Sequence, residues 1–125
     1  MYIHFNSNPH KKRVGDCVIR ALSKALDKPW QDIYVDLCIE GYIASDLPSG
    51  NYIWGKYLIK NGFKRNIIPD DCPDCYTVQD FCIEHPHGIY VIGTGTHAVA
   101  VVDGQYFDAW DSGYEQPVYY YQKGE

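Results

Sequence analysis

Cys17 is a thiol that could act as a nucleophile, and His97 and Asp108 are the residue types that would have to serve it. Thiolate attack on a carbonyl needs a base within hydrogen-bond reach, and that base needs a third group to fix its tautomer. Cys17 lies in Val14–Leu26, read VGDCVIRALSKAL, where a helix should begin. Backbone N–H groups and the helix dipole at such a start favour a thiolate, lowering the thiol from its usual value of about 8.5. The same N–H groups can receive an oxyanion. His97 and Asp108 lie far downstream in Thr96–Gly113, read THAVAVVDGQYFDAWDSG. Free cysteine is among the most buried residue types, so the reading depends on the elements that position these three.

A hairpin positions the latter two. Asp103-Gly104 is a two-residue turn signal, because a type I′ turn needs positive φ at both central residues. With the turn placed there, Val102 faces Gln105, Val101 faces Tyr106 and Ala100 faces Phe107. The pairing continues with Val99 opposite Asp108, Ala98 opposite Ala109 and His97 opposite Trp110. Alternation then puts His97, Val99, Val101, Tyr106, Asp108 and Trp110 on one face. Asp108 is a diagonal neighbour of His97, a relation spanning roughly 7–8 Å between strand positions. Trp110 is placed to shield the His–Asp pair from water. Asp111 points away in this register, which makes Asp108 the expected partner, whereas a bulge would exchange the two acids.

A helical period carries Cys17. Val18, Leu22 and Ala25, with Ile19 and Leu26, follow helical spacing, and Asp16 is an N-cap or first-turn residue. Asp27-Lys28-Pro29 ends this helix. Pro29 opens a second at its first position, roughly Trp30–Ala44, with Ile33, Leu37 and Ile43 expected inside. Asn51–Asn61 reads as a third helix bearing Trp54, Tyr57 and Leu58, and Phe63–Ile68 as a strand. Thr77 caps a short helix to Glu84, ended by His85-Pro86. Met1–Phe5 reads as a short edge strand. Gly88–Ile92, Thr96–Val102, Gln105–Trp110 and Val118–Gln122 read as further strands, with the Tyr119-Tyr120-Tyr121 run on an edge and Cys38 in the core. N-terminal helices packed on a C-terminal antiparallel meander make the expected class α+β.

Composition bounds the partners. The chain has 125 residues, a net charge of −5 and twelve tyrosines. That length suits one domain, 1–125. No basic cluster exceeds His10-Lys11-Lys12-Arg13, which argues against nucleic acid, and no apolar stretch approaches a membrane span. The N-terminus lacks the order of a signal peptide, so the five cysteines are expected as reduced thiols in a cytoplasm.

Two other groups of residues invite chemistry. Cys72-Pro73-Asp74-Cys75 is a CxxC, with Cys82, His85 and His87 behind it. Cys72, Cys75, Cys82 and His85 could complete a tetrahedral zinc site, although the second half lacks an established spacing. No thioredoxin-like pattern surrounds the motif to favour redox chemistry, and plain reduced cysteines are the simplest reading. Asp111-Ser112-Gly113 reads as the turn ending the last hairpin strand or as a substrate-contacting loop beside the histidine.

HAVAVV followed by a turn and then FDAW resembles the papain-like cysteine peptidases, in which a similar HAVAxV leads to Asn-Ser-Trp on the next strand. Asp108-Ala109-Trp110 falls where that triplet falls. Asp16-Cys17 at a helix start is similar to the bacteriocin-processing branch, and the whole pattern resembles small uncharacterised proteins of bacteria and their phages. The likeness covers roughly 15–25 and 88–113. It implies a papain-like fold with Cys17 as nucleophile, His97 as general base and acid, Asp108 as orienting residue and Trp110 as shield. The family's oxyanion-donating Gln shortly before the nucleophile has no counterpart, since Lys11 stands there; Asn8 or Asn6 are the substitutes. The expected function is a cysteine hydrolase cleaving a peptide or isopeptide bond in a peptide or protein substrate, with no cofactor. The phage-type likeness would place it in a host cytoplasm. The alternative is a catalytically silent module on the same fold that engages a host protein. Substrate identity and oligomeric state are not legible.

Overall fold

The computed structural model describes residues 1–69 and 76–124. Among the described residues four helices and six strands follow in the order β1 (Tyr2–His4), α1 (Cys17–Leu26), α2 (Trp30–Ala44), α3 (Asn51–Lys60), β2 (Phe63–Ile67), α4 (Val78–Glu84), β3 (Ile89–Gly93), β4 (Ala98–Val102), β5 (Gln105–Asp108) and β6 (Tyr119–Lys123). The α+β class holds, but the sheet is mixed. Its order is β1-β5-β4-β3-β6-β2, with β1 parallel to β5 and every other pair antiparallel.

Two expectations about the sheet are corrected. The C-terminal meander extends only through β3, β4 and β5: β1 and β2, which precede it in the chain, supply both edges, and β6 returns to insert between β3 and β2. The tyrosine run on β6 is therefore interior. Tyr119 and Tyr121 pack on Trp54 of α3, while Tyr120 meets Phe81, His85 and Tyr90 on the other face. Gly55 on α3 allows that approach, since a Cβ there would overlap the Tyr121 hydroxyl.

Both faces of the sheet are covered, which explains why β4 reads as an unbroken apolar run, AVAVV. Ala98, Ala100 and Val91 face α1–α3, where Leu22, Ile33, Leu37, Trp54 and Leu58 complete the larger core. Val99, Val101, Tyr90, Ile92 and Tyr106 face α4 through Val78, Phe81 and Cys82. Alanines at alternate β4 positions let α1 lie close to the strand, and this closeness brings the helix start to the sheet.

Local signals behave as their chemistry predicts in most places. Asp103 and Gly104 take φ of 49° and 78°, the expected I′ turn. Thr77 forms a full capping box with Asp80 at the start of α4. Ile33 and Leu37 are buried as expected, but Ile43 is exposed, and Glu40 and Gly41 occupy the inner face of α2 at that end. Lys60 donates to Glu40 Oε1 at 2.5 Å and offsets part of the cost of burying that carboxylate, whose Oε2 has no hydrogen-bond partner among the described residues. Pro29 stands at the N-cap of α2, one position before the helix rather than at its first residue. Cys38 is half-buried on α2 and not a core residue. Among the described residues no helix is long and apolar enough to cross a membrane.

Candidate active site

Cys17 is the first residue of α1, and His97 directly precedes β4. The ladder between β4 and β5 runs from Val102↔Gln105 to Ala100↔Phe107 and then stops. The expected pairs Val99–Asp108, Ala98–Ala109 and His97–Trp110 thus lie beyond its end. Strict alternation would put His97 and Asp108 with Val99, on the α4 side. Both instead reach residues of α1, on the opposite side. The site therefore sits at the end of the sheet, where the chain is free to bend, and not on a flat strand face. His97 is fixed there by a turn: its N–H donates to Thr94 Oγ1 at 3.1 Å, and its carbonyl accepts from the Thr94 N–H at 2.9 Å.

Asp108 closes β5, and its carboxylate is 2% exposed with both oxygens filled. Oδ2 accepts from His97 Nε2 at 2.6 Å and from Ser112 Oγ at 2.7 Å. Oδ1 accepts from the Ala109 N–H at 2.8 Å and from Arg20 Nη2 at 3.1 Å. Burial opposes its ionisation, but the hydrogen bonds from His97 and Ser112 outweigh it and hold the acid below the usual carboxylate range. An ionised carboxylate can only accept, so Nε2 carries hydrogen and Nδ1 is the ring nitrogen left to meet the Cys17 thiol.

The Cys17–His97 pair is polarised toward thiolate and imidazolium. Burial disfavours the thiolate, yet hydrogen bonds from His97 and from the Ala98 backbone N–H, with the nearby positive charges of His97 and Arg20, bring the thiol below its ordinary value. Burial likewise disfavours imidazolium, but hydrogen bonds to Asp108 and Cys17 push His97 up to about 9. Trp110 lies against the imidazole with centroids 4.8 Å apart, while 46% of its own surface remains exposed. It covers the His–Asp pair on the solvent side, as its position after Asp108 suggests.

Asp111 does not compete with Asp108. It accepts from the Tyr106 hydroxyl at 2.5 Å and from the Gly113 N–H at 3.0 Å. Ser112, fully buried, is the member of the Asp111-Ser112-Gly113 turn that reaches the site, from behind Asp108 and not from the solvent side. Of the two asparagines, Asn6 donates through Nδ2 to the Lys12 carbonyl at 3.4 Å. Buried Asn8 uses Oδ1 to accept from the His10 N–H at 2.9 Å, which leaves Nδ2 as its donor end. Their loop is tied to α1 by Ser7 Oγ and Ser23 Oγ, 2.6 Å apart.

Arg20 is not among the residues the sequence singles out, whereas Asp16 stands where it is expected, at the start of α1. Asp16 occupies the N-cap position of α1 without capping it. Its carboxylate instead accepts from Arg20 Nη1 and from Trp30 Nε1, the latter at 2.9 Å. The signal was present as a polar stripe, Asp16, Cys17, Arg20 and Ser23, at i, i+3 and i+4 spacings on one helix face.

Two cavities lie near these residues. A pocket of about 190 Å³ opens between α1 and α2, against Gly15, Asp16, Val18, Tyr34, Leu37 and Cys38, and so abuts the residues flanking the nucleophile. A larger one, about 660 Å³, is lined by Thr94, Thr96, Tyr76 and the Tyr114–Val118 segment, and contains none of Cys17, His97 and Asp108.

The zinc alternative does not assemble from what is described. Cys72 and Cys75 lie outside the described residues. Cys82 is buried in the smaller core, where burial pushes its thiol up to about 11. His85 stacks on Phe81 with its Nδ1 2.9 Å from the Phe81 carbonyl oxygen. Among the described residues no three His, Cys, Asp or Glu side chains converge as a metal site.

Comparison of the chain with family models, curated proteins and solved structures gave no match.

Proposed function

We propose that the protein is a cysteine hydrolase of papain-like type that cleaves a peptide or isopeptide bond through an acyl-enzyme. The observation that carries this reading is the His97–Asp108 pair at the start of α1, in which a buried carboxylate fixes the tautomer of an imidazole whose neighbour is the Cys17 thiol. Purely structural packing would not need a half-buried thiol, an oriented histidine and a fully satisfied carboxylate in series.

In the proposed reaction the Cys17 sulfur attacks the amide carbonyl carbon. The carbonyl electron pair moves onto oxygen, which the uncapped backbone N–H groups at the start of α1 receive. Asn8 Nδ2 is the proposed side-chain donor to the same oxygen. Collapse breaks the C–N bond, and His97 Nδ1 gives its proton to the leaving amine. Water then attacks the thioester while Nδ1 takes its proton, and Cys17 leaves as thiolate. Asp108 stays ionised throughout and stabilises the imidazolium.

The test is intact-mass detection of a covalent acyl adduct on Cys17, using a panel of activated peptide esters and amides, with Cys17→Ala as control. Adducts that form on wild type and turn over to hydrolysed product support the reading. No adduct on Cys17 across the panel opposes it.

A second reading has its own observation. Tyr34, Val35, Ile39, Tyr42, Ile43 and Leu47, on α2 and just beyond it, are all about half exposed or more. An apolar helix face of this kind suits a non-catalytic module that engages another protein, and that reading gains if the thiol proves unreactive.

A further inference from the structure

We propose that Arg20 is a positioning residue of this site: its guanidinium ties Asp16, at the start of the nucleophile's helix, to Asp108, the acid behind His97, and its fixed positive charge holds the Cys17–His97 pair as thiolate and imidazolium. The proposal rests on the hydrolase reading above and adds the cation to it.

The geometry is that of a bridge between two elements. Arg20 lies three residues after Cys17 and shares its face of α1. Nη1 donates to Asp16 Oδ1 and Nη2 to Asp108 Oδ1, the second at 3.1 Å. Arg20, Asp16 and Asp108 are 6%, 4% and 2% exposed. The planar fork presents two nitrogens to two separate carboxylates, which the single ammonium of a lysine does less well. Nε is buried with no hydrogen-bond partner. A stranded donor is a cost that packing alone would not retain, since an apolar side chain of similar length would fill the space without it.

The charge balance gives the bridge its chemical meaning. Asp16 and Asp108 bring two negative charges toward a site that must itself hold a thiolate and then an oxyanion. Arg20 offsets one of them. The other titratable groups around it are His97 before β4 and Tyr2 on β1, whose hydroxyl donates to the Asp108 carbonyl at 3.1 Å. His4, opposite Asp108 in the β1–β5 register, is the next. From α2 the neighbour is Trp30, which donates an uncharged N–H to Asp16. Among these described groups Arg20 supplies the permanent cation. It also takes Asp108 Oδ1, which leaves Oδ2 to His97 and Ser112 and so fixes the plane of the carboxylate.

The test is the pH dependence of iodoacetamide alkylation at Cys17, read by peptide mass spectrometry, in wild type, Arg20→Met, Arg20→Lys and Asp16→Asn. Removing a fixed positive charge raises the pH at which a thiol ionises, and removing a negative one lowers it. Arg20→Met should therefore move the midpoint of Cys17 labelling upward and slow labelling at pH 6 by about tenfold or more. Asp16→Asn should move the midpoint downward, and Arg20→Lys should keep it near wild type. Opposite shifts cannot arise from general loosening, which would move every variant the same way. Should Arg20→Met fail to fold, Arg20→Gln, which keeps a polar side chain without the charge, takes its place and should show the same upward midpoint. Midpoints of all folded variants coinciding with wild type would overturn the role of Arg20 and leave the hydrolase reading standing. A wild-type Cys17 no more reactive than an ordinary thiol would overturn both.

Discussion

Asp108→Asn is the substitution whose consequence follows most closely from the hydrogen-bond geometry. Four donors converge on this carboxylate: His97 Nε2 and Ser112 Oγ on Oδ2, the Ala109 N–H and Arg20 Nη2 on Oδ1. An asparagine offers one oxygen and one NH₂. The Oδ1 partners can only donate, so the amide oxygen must face them. The NH₂ then faces Ser112, whose hydroxyl can turn to accept, and His97, whose Nε2 must give up its hydrogen to accept. That forces the proton onto Nδ1, where it points at Cys17, and the imidazole can no longer take the thiol proton. His97 also loses the carboxylate that pushes it up to about 9. Inverting the tautomer of a catalytic histidine costs about 10²–10⁴-fold in turnover. At pH 6 a thiol returned to a value near 8.5 is about 0.3% ionised, so alkylation of Cys17 should fall to the rate of an ordinary cysteine. Circular dichroism would show the variant folded, because Arg20 keeps Asp16 as a partner. Cys17 in folded Asp108→Asn labelling at pH 6 as fast as in wild type would refute the reasoning.

The remaining expectations concern the surroundings. Ser112→Ala removes one of two donors to Asp108 Oδ2 and should cost about 1 kcal/mol in urea unfolding, with Cys17 labelling reduced far less than in Asp108→Asn. Ala100→Leu forces a larger side chain between β4 and α1 and should cost about 1–3 kcal/mol, measured the same way. Stability should also depend on pH in a defined sense. The His97 value is raised, so its contribution is fully present below about 6.5 and is lost as pH rises through about 9. The Asp108 value is depressed, so its contribution is present above about 3.9 and is lost as pH falls through its folded value. Thermal melts across pH should flatten on the alkaline side in His97→Gln; a slope unchanged from wild type would count against the pairing.

What the sequence reveals and conceals follows from the range of each interaction. The Asp103-Gly104 turn, the start of α1 at Cys17 and the Thr77 cap are local, and each is legible because a few neighbouring residues decide it. The pairing register through Phe107 follows from that turn. The end of the ladder does not, because it depends on β1 pairing in parallel with β5 and on the Phe5 N–H donating to the Asp108 carbonyl at 2.8 Å. The insertion of β6 between β3 and β2 is equally non-local. Nothing in a run of three tyrosines says that Trp54 and Phe81 will cover it from both sides. Asp108 is favoured over Asp111 by a register that the ladder does not extend far enough to enforce, so the choice holds while its geometry differs; the link to Arg20 crosses from the first helix to the fifth strand and has only the Asp16–Arg20 spacing to announce it.

The central claim is that His97 activates Cys17. Its most direct test is peptide mass spectrometry after brief iodoacetamide treatment at pH 6, comparing wild type with His97→Ala and using the other four cysteines as internal controls. Fast labelling confined to Cys17 and lost in His97→Ala is the predicted result. Slow labelling spread evenly over the exposed cysteines, or labelling of Cys17 that survives His97→Ala, would contradict it.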